Sequence, residues 1–256
     1  MRNSTRRHTA VAKARTRRGE PTFASSERRW LTWILIGWLS VAGFGLAFAM
    51  RMMSEPVSSA AREVTVNPVF DAVMARDVER LVAMSDDLDP AWLDAANAGM
   101  TPVMQASSFG DVEMVETLLR FGADPNKRGS ASRTALQYAA EKNRLRVARA
   151  LVSAGADVDG ADVSGLTPLI MAADRGYTDF GLLMLESGAN VNATMKNGWT
   201  ALLDAGRRGN LTLARELLAR GADANARVNG NSPLRLAEQN GHTEVAALVK
   251  RAGGTR

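Results

Sequence analysis

A Gly-Ala pair followed by Asp or Asn returns every 33 residues through the C-terminal half of this chain, at Gly122-Ala123-Asp124, Gly155-Ala156-Asp157, Gly188-Ala189-Asn190 and Gly221-Ala222-Asp223. A fixed period of this length marks supersecondary units that cannot bury their apolar faces alone and therefore stack into a solenoid. A second signal keeps the same step: Thr101-Pro102-Val103, Thr134-Ala135-Leu136, Thr167-Pro168-Leu169 and Thr200-Ala201-Leu202, with Ser232-Pro233-Leu234 one residue early. Two phased signals argue for repeated units and against a globule built around a central pocket, so function becomes a question about surfaces.

Between the two signals lie two short apolar-periodic runs per unit, each long enough for a helix of about two to three turns. Thr or Ser ahead of Pro or Ala is an N-cap followed by a favourable first helical position, so the first helix of each unit starts there. Gly110, Gly176, Gly209 and Gly241 separate first helix from second, and Gly122, Gly155, Gly188 and Gly221 close the second. Both sets sit where a tight turn needs a left-handed backbone or a helix C-cap.

At these residues the chain resembles the ankyrin repeat family, whose units run from a Thr-Pro-Leu-His start to a Gly-Ala-Asp-x-Asn finish. The resemblance covers roughly residues 67–253 and implies an all-α solenoid of helix-turn-helix units with projecting β-turn fingers. Four well-formed units are expected at 99–131, 132–164, 165–197 and 198–229, with a degenerate N-terminal unit at 68–98 and a truncated C-terminal one at 230–253, each capping the apolar stack against water. One departure is systematic. The family's His is replaced by Met104, Gln137, Ile170, Leu203 and Arg235, so apolar packing is expected to carry more of the stacking.

Ahead of the repeats, Trp30–Met50 is a 21-residue stretch without a charged side chain. About 20 helical residues cross a bilayer core of ~30 Å, so the stretch is read as a transmembrane signal anchor. Residues 1–29 hold nine Lys and Arg against Glu20 and Glu27. The positive-inside rule then leaves that tail in the cytoplasm and puts the repeats outside it, in the periplasm if the source is a Gram-negative bacterium. The expected organisation is a basic disordered tail (1–29), the anchor (30–50), a juxtamembrane linker (51–66) and the repeat domain (67–256). A competing reading is a cleavable signal peptide cut after Ala49, since Ala47-Phe48-Ala49 has the small-x-small form. The length of the apolar run favours the anchor. Gly43-x-x-x-Ala47 and Gly45-x-x-x-Ala49 would let two such helices approach as a homodimer, although small residues at this spacing are common.

The formal charge of +5 is misleading, because the tail alone carries +7 and residues 30–256 are left at −2. That balance gives no reason to expect nucleic acid as a partner. The absence of Cys excludes disulfides, thiolate catalysis and thiolate metal sites. His8 and His242 are the two histidines, and His242 falls at a repeat position where the family itself carries His. Metal spacings and phosphate-binding glycine loops are missing. Met74, Met104, Met114, Met171 and Met184 fall at helical core spacing, where Met fills gaps rather than binding a soft metal. No catalytic residue, metal or cofactor is therefore expected.

The family binds proteins through finger tips and the exposed side of the first helix. At the matching positions here Met100, Phe109, Leu166 and Trp199 would form an apolar line, with Arg133, Arg175, Lys196, Arg207 and Arg208 around it. An aromatic anchor in an arginine-containing rim has the composition of an interaction hot spot. Alternatively, Trp199 folds onto Leu166 or Met195 and only stiffens the fingers. The resulting expectation is a membrane-anchored adaptor that presents its repeats to a protein outside the cytoplasm. The alternative is an immunity or inhibitor protein that blocks a toxin or enzyme with the same face.

Overall fold

The structure, a computed structural model, describes residues 67–256. The tail, the Trp30–Met50 segment, the linker and the small-residue pairs within the apolar run lie outside the described residues. Among the described residues no helix is long and apolar enough to cross a membrane.

Thirteen α-helices and two 3-10 turns make up the described part, and no strand is present in it. The first helices of the successive units are α1 (Pro68–Ala75), α4 (Pro102–Phe109), α6 (Ala135–Glu141), α8 (Pro168–Arg175), α10 (Ala201–Arg208) and α12 (Pro233–Gln239). Their partners are α2 (Val78–Ala83), α5 (Val112–Arg120), α7 (Leu145–Ser153), α9 (Thr178–Glu186), α11 (Leu211–Ala219) and α13 (Thr243–Arg251). First helices pack on first helices and second on second from unit to unit, and each unit's two helices pack on each other.

The capping chemistry read from sequence is what starts these helices. The hydroxyls of Thr101, Thr134, Thr167, Thr200 and Ser232 accept from the backbone N–H three residues on, at 3.2–3.4 Å. Gly110, Gly176 and Gly209 end first helices in the left-handed region, with φ of 81°, 76° and 74°. In the unit without a glycine there, Asn143 takes φ 53° instead, as Asn tolerates better than most residues.

The core is a set of columns at the repeat spacing. Val103, Leu136, Leu169, Leu202 and Leu234 of the first helices are buried, and so are Leu118, Leu151, Met184, Leu217 and Val249 of the second. Each such side chain contributes about 2 kcal/mol by leaving water, and its cover comes from the partner helix of its own unit together with the neighbouring units. Met104, Met114, Met171 and Met184 are core residues as expected, but Met74 is 53% exposed. Counted back from the equivalent left-handed C-caps Arg76 and Gly110, it takes the register of Ser108, Glu141, Asp174 and Arg207 on the exposed side of the first helices.

The missing His is handled differently in each unit. Gln137 accepts from the Thr134 N–H at 3.0 Å and donates to the Leu166 carbonyl of the next unit at 2.5 Å, so hydrogen bonding between units survives there. Ile170 and Leu203 are buried and replace it with packing. The expectation of apolar compensation holds at those two sites and not at Gln137.

A polar ladder runs along the turns that follow the second helices. Asn126 donates to Gly155 O at 3.0 Å and accepts from Asp157 N at 2.7 Å. Asn192 repeats this with Gly221 O and Asp223 N, and Asn225 with Gly253 O and Thr255 N. The Gly253–Thr255 segment thus occupies the place of a further unit's Gly-Ala-Asp. Asp159 stands at the same position in its own unit and can only accept, from Asn190 N.

The N-terminal unit departs from the expected helix pair. A 3-10 turn (Ser85–Asp87) and the extra helix α3 (Pro90–Asp94) follow α2. Asp89 caps α3 at 2.8 Å ahead of Pro90, and Asn67 ties it down by donating to Trp92 O at 2.8 Å.

Candidate protein-interaction surface

The fingers and the first helices share one face of the solenoid. Neighbouring fingers are joined through their backbones, Ser130 N to Gly99 O at 2.7 Å, Val163 N to Ala131 O at 3.0 Å and Lys196 N to Ser164 O at 2.8 Å. Rigid fingers hold one residue per unit at the foot of the first helix: Met100, Arg133, Leu166 and Trp199, all half-buried. A basic side chain therefore stands between Met100 and Leu166 along the finger row.

Each unit carries its own strip across this face. In the second well-formed unit Arg133 crosses the helix, with its guanidinium 4.3 Å from the centre of the Tyr138 ring and its end ion-paired with Glu141. Hydrogen bonding from Arg133 holds the Glu141 carboxyl below the usual carboxylate range, although partial burial opposes this. Lys142 completes the group, 3.2 Å from Glu141. One unit earlier, Phe109 lies half-buried under the guanidinium of Arg76, at 4.7 Å from the ring centre. Stacking of this kind holds an aromatic ring at the surface without sealing it.

Trp199 departs from the fold-back reading. It packs not on Leu166 or Met195 but forward, into a small apolar cluster of Leu203, Val228 and Leu236 with Ala226. The indole remains half-buried, so one side stiffens the last two units while the rest faces outward. Beneath it lies Asp204, whose side chain is only 3% exposed. Burial raises the Asp204 pKa above the ordinary aspartate value, while Arg207 and the Trp199 indole pull it down.

Arg207 links two units. Its Nε and Nη2 donate to Asp204 at 3.1 and 2.7 Å, and Nη2 also donates to Asp174 of the preceding unit at 2.5 Å. Asp174 has Arg208 at 3.5 Å and Arg175 at 3.9 Å as well. Three of the expected site arginines therefore converge, Arg133 stands apart with Tyr138, and Lys196 is exposed on its finger. His242 has its Nε2 at 3.2 Å from the Arg207 carbonyl and braces the same corner.

Tyr138 and Asp204 were not among the residues singled out from sequence. The signal was present, since both fall at one repeat position, 66 residues apart, where the intervening unit has Met171. An aromatic ring and a carboxylate in a column otherwise suited to packing mark a face with further work to do. No group of three or more His, Asp or Glu side chains among the described residues is placed to hold a metal ion.

The family model for "Ankyrin repeats (3 copies)" matches three times, over residues 69–162, 103–195 and 169–254. The chain belongs to the ankyrin repeat family. Ankyrin repeats form protein–protein interaction modules, typically non-catalytic scaffolds, and their presence here suggests a protein partner. Among solved structures, the crystal structure of an ankyrin repeat domain from Acinetobacter baumannii AYE superimposes with a TM-score of 0.69 at 29% identity, over 73% of this chain and 98% of that one. None of the curated proteins matches the sequence. The ankyrin scaffold alone does not name a partner, because the residues on its face, and not its fold, choose what is bound.

Proposed function

We propose that this protein is a membrane-anchored adaptor that presents the finger-and-first-helix face of its ankyrin repeats to a protein outside the cytoplasm. The supporting observation is three half-buried aromatic side chains on that one face, Phe109 and Tyr138 stacked under Arg76 and Arg133, and Trp199 sharing Asp204 with Arg207. Aromatic and arginine side chains fixed at the surface by their own neighbours lose little freedom on binding, which is how interaction hot spots gain affinity. Anchorage rests on the uncharged Trp30–Met50 run and orientation on the basic residues 1–29. The resemblance to a bacterial ankyrin domain accords with a bacterial source.

A photo-crosslinking amino acid at position 199, compared with one at Arg149 on the second-helix face, tests this in native cells. Discrete adducts from position 199 and none from 149, in the membrane fraction and sensitive to protease added to spheroplasts, are expected. Adducts formed equally from both positions, or a protein recovered from the cytosol, would overturn the reading.

A further inference from the structure

Between the third and fourth well-formed units, positive charge exceeds what the structure neutralises. Arg175, Arg207 and Arg208 all turn to Asp174, and the other carboxylate of the group, Asp204, is sealed under the indole and taken up by Arg207. Arg207 is thereby held still. Arg208 and Arg175 are not: their side chains are 44% and 51% exposed, and they approach Asp174 only at 3.5 and 3.9 Å. A guanidinium offers five N–H donors in a planar fork suited to carboxylates, and most of those on Arg175 and Arg208 are unspent. Apolar surface stands along the same strips, in the half-buried Leu166 and Trp199 and in Val163, which is 54% exposed.

We infer that this corner recognises an acidic segment of a protein partner, with partner carboxylates seated on Arg175 and Arg208 and flanking apolar side chains on Leu166, Val163 and Trp199. The inference rests on the reading that this face binds a protein, and adds what kind. The mixed character of the surface selects a polypeptide: a lipid headgroup or free phosphate would use the arginines and leave the apolar strips bare. Asp174 works here as an internal stand-in. It keeps the guanidiniums gathered in the free protein and shares them when a second carboxylate arrives.

The test uses the full chain and a labelled model peptide of alternating glutamate and leucine, read by fluorescence anisotropy, with an alternating lysine–leucine peptide as control. The acidic peptide binds and the basic one does not. The pair Arg175→Glu and Arg208→Glu weakens binding at least tenfold, the milder pair Arg175→Gln and Arg208→Gln weakens it less, and Trp199→Ala weakens it too. Reversal of Arg146 and Arg149 on the second-helix face leaves it unchanged. Equal weakening by both reversals would show non-specific charge attraction and sink the proposal. So would binding confined to phosphatidylserine vesicles, or no binding of the acidic peptide at all. If the Arg175 and Arg208 variants, each carrying the crosslinker at position 199, still form the same adduct in cells, the acidic-segment inference fails and the proposed function stands.

Discussion

Asn192 makes two hydrogen bonds to the next unit, donating to Gly221 O at 3.0 Å and accepting from Asp223 N at 2.9 Å, whereas Asp159 at the equivalent position makes only the accepting kind. Exchanging the two chemistries gives a matched pair of perturbations. Asn192→Asp keeps the acceptor, deletes the donor and sets a carboxylate against a carbonyl oxygen. A net protein hydrogen bond is worth about 0.5–1.5 kcal/mol. Because these turns are exposed and water can replace a lost partner, the lower half of that range applies, and the repulsion adds a few tenths. The expected cost is about 1 kcal/mol. Asp159→Asn does the reverse: it supplies a donor to the Gly188 carbonyl and relieves a negative charge close in sequence to Asp157 and Asp162. A gain of about 0.5 kcal/mol is expected, since a charge-assisted acceptor is given up in exchange. For a folded unit of this size 1 kcal/mol moves the melting temperature by about 2–4 °C, so the two variants should shift it in opposite directions by ~3 °C down and ~1–2 °C up in circular-dichroism melts. Solenoid stability is nearly a sum of unit and nearest-neighbour terms, and the double variant should therefore melt at the summed shift. A lower melting point for Asp159→Asn, or no change for Asn192→Asp, would refute the ladder as a source of stability.

Leu203 is fully buried where the family carries His, and Leu203→Ala should cost 2–4 kcal/mol by opening a cavity under Trp199, measured by urea denaturation. Gly206 has the Pro233 carbonyl oxygen 2.7 Å from where a Cβ would sit; Gly206→Ala should cost about 1–3 kcal/mol through overpacking, and an unchanged midpoint would contradict the close approach of α10 to α12. Glu141 has its carboxyl pKa lowered below 4.5 by Arg133 in the folded protein. A depressed folded value contributes stability above the unfolded pKa that is lost as pH falls through the folded one. Glu141→Gln should therefore be less stable than the wild type at pH 7, by the ~0.2–1 kcal/mol of a partly exposed pair, and the gap should narrow as the pH falls through the lowered folded value; a gap that does not change with pH would show that the ion pair is not its cause.

The helix starts at Thr101, Thr134, Thr167, Thr200 and Ser232 were readable because an N-cap acts within three residues of itself. Asn143 takes a left-handed backbone that the glycine pattern does not mark. The nine expected site residues all lie on or beside the finger-and-first-helix face, because the period carries each to its place. Their pairings could not be read, since Arg207 could have reached any of several carboxylates and chose Asp174, 33 residues back, and Asp204, three back.

By itself the sequence determined, in the well-formed units, what depends on near neighbours and on period: the two helices per unit, the caps of the first helices, the columns of the core and the face each exposed residue shares. Tertiary structure alone decided that Trp199 leans forward onto Leu203, Val228 and Leu236, that Gln137 restores a bond between units, and that three arginines gather on one aspartate. Local backbone chemistry is written in adjacent residues. A long side chain, in contrast, settles among partners supplied by the next unit, and which one wins depends on distances and burial that exist only after stacking.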